Sequence, residues 1–177
     1  MRDCPRGLLS SHHTGTRRYF ELLHEFYGAV VVSREVHDEI TVAGAGLPGA
    51  DEMQQANWIR VQPTPSESSP EVMAACAGLG AGERSIIYLA SALTADLVLI
   101  DEERARRAAR AVGLNVAGSI AILDRGARLN RVADLRSVYL SLLEQGIRYD
   151  RGLLNQSLGR LGLPKLTAQT WQYSKQA

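Results

Sequence analysis

The chain has 177 residues, 45% hydrophobic and 22% charged, which supplies a core for one globular domain with a small appendage and excludes a disordered chain. Its formal net charge of +1 excludes attraction to nucleic acid or a membrane through global charge, so any such binding needs a local patch. The two cysteines, Cys4 and Cys76, lack metal-ligand spacing and read as thiols of a reducing compartment, with a single disulfide left open. No apolar run approaches the roughly 20 residues of a membrane-spanning helix, and the N-terminus lacks the apolar stretch of a signal peptide. A cytoplasmic location and no membrane partner are expected.

Residues 1–18 show no clean periodicity and are expected to be irregular. Tyr19 to Phe26 predicts a short helix with Phe20, Leu23 and Phe26 on one face. Ala29 to Ser33 is a β-branched run of the kind found in buried strands, and Ser33 can cap the next helix, REVHDEI, with Val36 and Ile40 inward. Residues 43–50 and 63–70 read as loops, and between them WIRVQ reads as a strand. EVMAACAGL is helical, as is ERSIIYLASAL after the glycines Gly80 and Gly82. Asp96 to Ile100, DLVLI, is the clearest buried strand. The helix after it sets Ala105, Ala108 and Ala109 against arginines, and Gly113 ends it. Asn115 to Gly118 predicts a further strand, with Ser119 capping SIAILDRGARL. Two helices, DLRSVYLSLLEQG and DRGLLNQSLGRLG, precede a loose tail over 163–177. Strands alternating with helices predict an α/β fold, a three-layer α/β/α sandwich around a mostly parallel sheet.

In such folds the working site lies where strands end and helices begin. Asp101 follows DLVLI directly, Glu83 opens the helix before it, and Glu39 lies six residues after Ser33. Bare carboxylates brought together repel, and one takes up a proton; a divalent cation such as Mg²⁺ or Mn²⁺ relieves the conflict and can activate water against a phosphodiester. Each acid also has a plainer reading. Asp101 can be a helix N-cap, Glu83 a first-turn acid favoured by the helix dipole, and Glu39 a solvated surface acid. Glu102 is a reserve ligand in the first turn of its helix.

From Tyr19 to about Gly162 the landmarks resemble a little-characterised branch of the PIN-domain family. The carriers are ELLHEFYGAVVVSREVHDEI, NWIRV, LGAGERSIIYLA, DLVLIDEERARRAARAVGLNVAGSIAILDRGARL and EQGIRYDRGLLNQSL. The resemblance implies a PIN-like domain over 19–162 and a Mg²⁺- or Mn²⁺-dependent ribonuclease. It also implies RNA as substrate, a small antitoxin protein as partner, and a homodimer. Residue by residue it carries the family's acids onto Glu39, Glu83 and Asp101. The departure is at the start, where the family has a strand ending in Asp. Spacing puts Gly7 or Leu8 at that position, and only Met1 and Arg2 precede Asp3. Either Asp3 substitutes, or the fold lacks its first strand and one ligand, which points to a start upstream of Met1 or to impaired catalysis.

Rival readings are thinner. GLGAG (78–82) lacks the third glycine of a dinucleotide fingerprint, since position 83 is Glu, and it follows a helix. His12, His13, His24 and His37 lack metal spacing. The serious alternative is a PIN-like module that binds nucleic acid or protein without catalysis, using Arg104, Arg106, Arg107 and Arg110 as a phosphate-facing surface. Those arginines also read as a plain solvated helix face. The helix LRSVYLSLLEQG carries enough Leu and Tyr for a partner surface, with core packing as its plainer use.

Overall fold

The structure, a computed structural model, describes residues 7–9, 17–46, 49–144, 147 and 149–167. Contacts group the chain into two units, Met1–Ser119 and Ile120–Ala177.

The first unit is built on a five-stranded parallel sheet. Its strands are β1 (Gly7–Leu9), β2 (Val30–Ser33), β3 (Ile59–Gln62), β4 (Leu97–Leu99) and β5 (Val116–Ala117), in the order β3-β2-β1-β4-β5. The expectation of a missing first strand is thus corrected. Gly7–Leu9 is the middle strand, paired through Gly7 and Leu8 with Val30 and Val31 on one side, and from Gly7 to Leu9 with Leu97 to Leu99 on the other. The short GLL segment has no β-branched residue to announce it, and ladders on both sides override that weak propensity. The chain runs outward from β1 through β2 to β3, then crosses to β4 and runs outward the other way. Parallel connections of this kind are right-handed as a rule and cover both faces of such a sheet with helices, the three layers that the alternation predicts.

The helices of this unit are α1 (Arg17–Tyr27), α2 (Arg34–Asp38), α3 (Ala50–Gln55), α4 (Pro70–Ala75), α5 (Ala81–Ala92) and α6 (Glu103–Ala111); a π-helical turn, Glu39–Ala43, extends α2. The core joins Val30, Val31 and Val32 of β2 to Phe20 and Leu23 of α1, to Ile86, Ile87 and Ala90 of α5, and to Ala105 and Ala109 of α6, all buried. Ser33 caps α2 as predicted, accepting the Val36 N–H at 3.3 Å. Gly113, at φ +80°, sits just beyond α6 in the left-handed region that glycine tolerates. Sequence reading missed α3, whose buried stripe is only Ala50 and Met53.

The second unit holds α7 (Ser119–Arg128, of which Ser119 belongs to the first unit), α8 (Leu135–Glu144) and α9 (Arg151–Arg160). The Leu and Tyr side chains of α8 serve the core: Leu135, Val138, Tyr139, Leu142 and Leu143 are buried. Asp124 is buried too and accepts the Tyr139 hydroxyl at 3.2 Å and a short bond from Ser157. The stretch after α9 is pinned as far as Leu166, which is buried; its N–H donates to Asn155 Oδ1 at 2.7 Å, and its carbonyl accepts from Arg151 at 3.2 Å.

Candidate functional site at the carboxyl edge

The strand order reverses between β1 and β4, so a crevice is expected beyond the carboxyl ends of these two strands. Asp101 stands there, two residues after β4. Its Oδ1 accepts the Ser119 backbone N–H at 2.8 Å and the Ser119 hydroxyl at 3.0 Å. Ser119 is therefore the first residue of α7 and a donor to Asp101, instead of the cap predicted for it. The carboxylate thereby satisfies an N–H that the helix cannot pair internally, eighteen residues away in sequence. Buried Gly118 lies beside the contact. A Cβ there would meet Asp101 Oδ1 at 2.8 Å and an Arg106 terminal nitrogen at 3.2 Å, so the glycine makes room for both side chains.

The other predicted acids also have local duties. Glu83 Oε2 accepts the Gly80 N–H at 3.0 Å and closes the start of α5. Glu102 is the N-cap of α6, accepting the Ala105 N–H at 2.6 Å. Glu39 lies exposed at the start of the π-helical turn. Asp3 lies outside the described residues, as do His12 and His13. The central strand brings no acid to this edge, since it reads Gly-Leu-Leu and is followed by Ser10.

Sequence reading missed the device that holds the site's two helix starts together. Ser33 and Ser85 meet at 2.7 Å in the core. Ser85 sends its one proton to the Gly82 carbonyl at 2.7 Å, so Ser33 donates to Ser85 while accepting from Val36. This buried chain ties the first turn of α2 to the first turn of α5, two residues from Glu83. The signal available in sequence was only that Ser33 stands at a helix start and Ser85 early in the helix after the glycines.

On α6, Glu103 lies 3.9 Å from Arg106 and 4.0 Å from Arg110, and Arg104 donates to the Ala77 carbonyl at 3.4 Å. Arg107 is exposed and makes no ion pair among the described residues. Arg106 Nε is shielded from solvent without a hydrogen-bond partner among them. The arginine face is thus partly neutralised by Glu103 and still cationic at Arg107.

Hard carboxylate oxygens are the donors Mg²⁺ or Mn²⁺ prefers. Yet among the described residues no three His, Cys, Asp or Glu side chains form a group that could hold a metal ion. Glu39, Glu83, Asp101 and Glu102 as arranged do not provide such a centre. Three of them spend an oxygen on a backbone N–H instead.

A parallel sheet covered by helices, with Asp101 just beyond its switch point, defines a doubly wound α/β domain. A family model for the PIN domain matches residues 16–163, most of the chain, and the chain belongs to the PIN-domain family. That family is nuclease-type, generally uses divalent metals and points to nucleic acid as the partner. Comparison with curated proteins and with solved structures returned no match. No helix among the described residues is long and apolar enough to cross a membrane.

Proposed function

We propose that the chain binds RNA along the carboxyl edge of its sheet and is impaired as a ribonuclease. The observation that carries this reading is the use made of the acids. Asp101 holds Ser119, Glu102 and Glu83 close their own helices, and the central strand contributes Gly-Leu-Leu where the family resemblance calls for an acid. What supports RNA binding is the family together with the cationic Arg107 on α6, the helix that leaves this edge.

One observation favours an active Mg²⁺- or Mn²⁺-dependent ribonuclease using Glu39, Glu83 and Asp101, with Glu102 in reserve. The Gly80–Glu83 bond is solvent-exposed, and an N-terminal cap is worth only about 1 kcal/mol, so a cation has little to overcome in recruiting Glu83. One experiment separates the readings: a labelled single-stranded RNA is followed by anisotropy and by gel, with and without Mn²⁺. Binding without cleavage, retained in Asp101→Asn, is the expected result. Mn²⁺-dependent cleavage that Asp101→Asn abolishes overturns it and restores the active enzyme. A small antitoxin and a second copy of the chain follow from the resemblance as partners, and sedimentation of the purified chain tests the latter.

A further inference from the structure

A cleft of about 330 Å³ opens at the amino edge of the sheet, away from the edge that carries Asp101. Three elements of the first unit build it. α1 contributes Glu21 and His24, α3 contributes Glu52 and Gln55, and the turn into β3 contributes Asn57 and Trp58. Both helical pairs are three residues apart, so each lies on one helical face. Trp58 immediately precedes β3, and its carbonyl accepts the Val30 N–H at the start of β2, which fixes the cleft at the amino ends of the strands.

One wall is aromatic and held in place. The His24 ring stacks on Trp58 with centroids 5.1 Å apart and planes 18° apart, and Phe20 tilts against the same indole at 5.2 Å. His24 Nδ1 donates to the Gly28 carbonyl at 2.7 Å, which orients the imidazole. The lining includes two carboxylates and neither lysine nor arginine. Glu52 gives one oxygen to the Gly49 N–H at 3.1 Å. Among the described residues the side chains of Glu21, Gln55 and Asn57 make no hydrogen bond or ion pair.

We propose that this cleft receives the guanidinium group of an arginine side chain presented by a protein partner. Carboxylates select a cation and repel phosphate, so this edge does not compete for RNA. A stacked aromatic wall favours a planar, weakly hydrated guanidinium over a compact ammonium. The carboxylates of Glu21 and Glu52 and the amide oxygens of Gln55 and Asn57 offer acceptors for its five donors. The volume stands at the low end of the roughly 300–1,000 Å³ of small-molecule sites, which suits one side chain and is small for a nucleotide. A single side chain buries little surface, so the rest of a partner chain must supply most of the affinity.

The test uses the full chain carrying Trp171→Phe, which leaves Trp58 as its one indole. At physiological salt it is titrated with acetyl-Ala-Arg-Ala-amide, the lysine and citrulline counterparts, and free arginine. A saturable change in Trp58 fluorescence is expected with the arginine peptide, about tenfold weaker binding with lysine, and no response to citrulline. Glu21→Gln, at an exposed position, is expected to weaken the arginine peptide about tenfold at unchanged Tm. Glu21→Gln combined with Glu52→Gln should remove the response. Equal responses to arginine and citrulline, or unchanged affinity in the double variant, overturn the site. Equal binding of lysine overturns the guanidinium assignment, and free arginine binding more tightly than the peptide overturns a protein source.

Discussion

Gly118→Ala is the most direct probe of the carboxyl edge, because one added methyl lands on its central contact. The new Cβ would stand 2.8 Å from Asp101 Oδ1, whereas an ordinary contact begins at 3.4 Å, so the oxygen must retreat about 0.6 Å (3.4 − 2.8). That is enough to weaken two bonds now at 2.8 and 3.0 Å from the Ser119 N–H and hydroxyl. A hydrogen bond to a charged group contributes about 1.5–3 kcal/mol when intact. Partial loss of two part-buried ones gives a destabilisation of about 2 kcal/mol. For a chain of this size the melting temperature then falls by roughly 4–8 °C. The φ of Gly118 lies outside the left-handed region, so no backbone strain enters the comparison. Thermal unfolding followed by circular dichroism measures the change, with Gly159→Ala as an internal control. Gly159 sits exposed in α9 with nothing within 4 Å of the methyl that alanine would add, and there the substitution should stabilise by about 1 kcal/mol. If Gly118→Ala melts at or above the parent temperature, the packing of Asp101 against Ser119 and Gly118 has been misjudged. If combining it with Ser119→Ala gives a fully additive loss, the two do not act on one contact.

Further outcomes are expected elsewhere. Glu102→Ala should destabilise by about 1 kcal/mol through loss of the α6 cap, and Glu102→Asp should recover most of it, as read by urea unfolding. Burial holds the Tyr139 hydroxyl well above the usual tyrosine range; the Ser157 bond opposes it, and Asp124 adds to the rise through its charge and its hydrogen bond. A group raised in the folded state contributes stability that is intact below its unfolded value near 10 and lost as pH climbs above it. Phenolate absorbance should therefore show one tyrosine ionising only as the chain unfolds in alkali, and Tyr139→Phe should remove that step. Burial also pushes the Cys76 thiol up despite the opposing influence of Arg84. Iodoacetamide at mildly alkaline pH should label Cys76 far more slowly in the native chain than in urea, as mass spectrometry of its peptide will show. Arg107→Ala should weaken RNA binding with little sequence dependence and flatten the salt slope by about 0.7, the contribution of one single-strand phosphate contact.

Long or β-branched runs were legible in sequence: VVVS, DLVLI and the alanine stripe of α6 all fold as their patterns predict. Short elements were not. β1 offers three residues without β-branching, and α3 offers one buried pair, so neither stands out from a loop until the rest of the fold packs on it. The position of Asp101 past β4 followed from the DLVLI–Asp junction, and the capping duties of Glu83 and Glu102 were implicit in their first-turn places. The hold of Asp101 on Ser119 was not legible, because its partner lies eighteen residues on, across a strand that had to be placed first. The Ser33–Ser85 contact spans fifty-two residues and has no local signature.

The placement of Gly7–Leu9 has a consequence for how the molecule is made on the ribosome. The β2–β3 pair joins segments about thirty residues apart and can zip early, but β1 needs Leu97–Leu99 on its far flank. The stretch from Gly7 to Leu99 must therefore be synthesised before the central ladder closes, a long loop with the slow kinetics of non-local pairing. Until then β1 waits beside an open β2, and a pause in translation before the β4 codons would hold the sheet half-built.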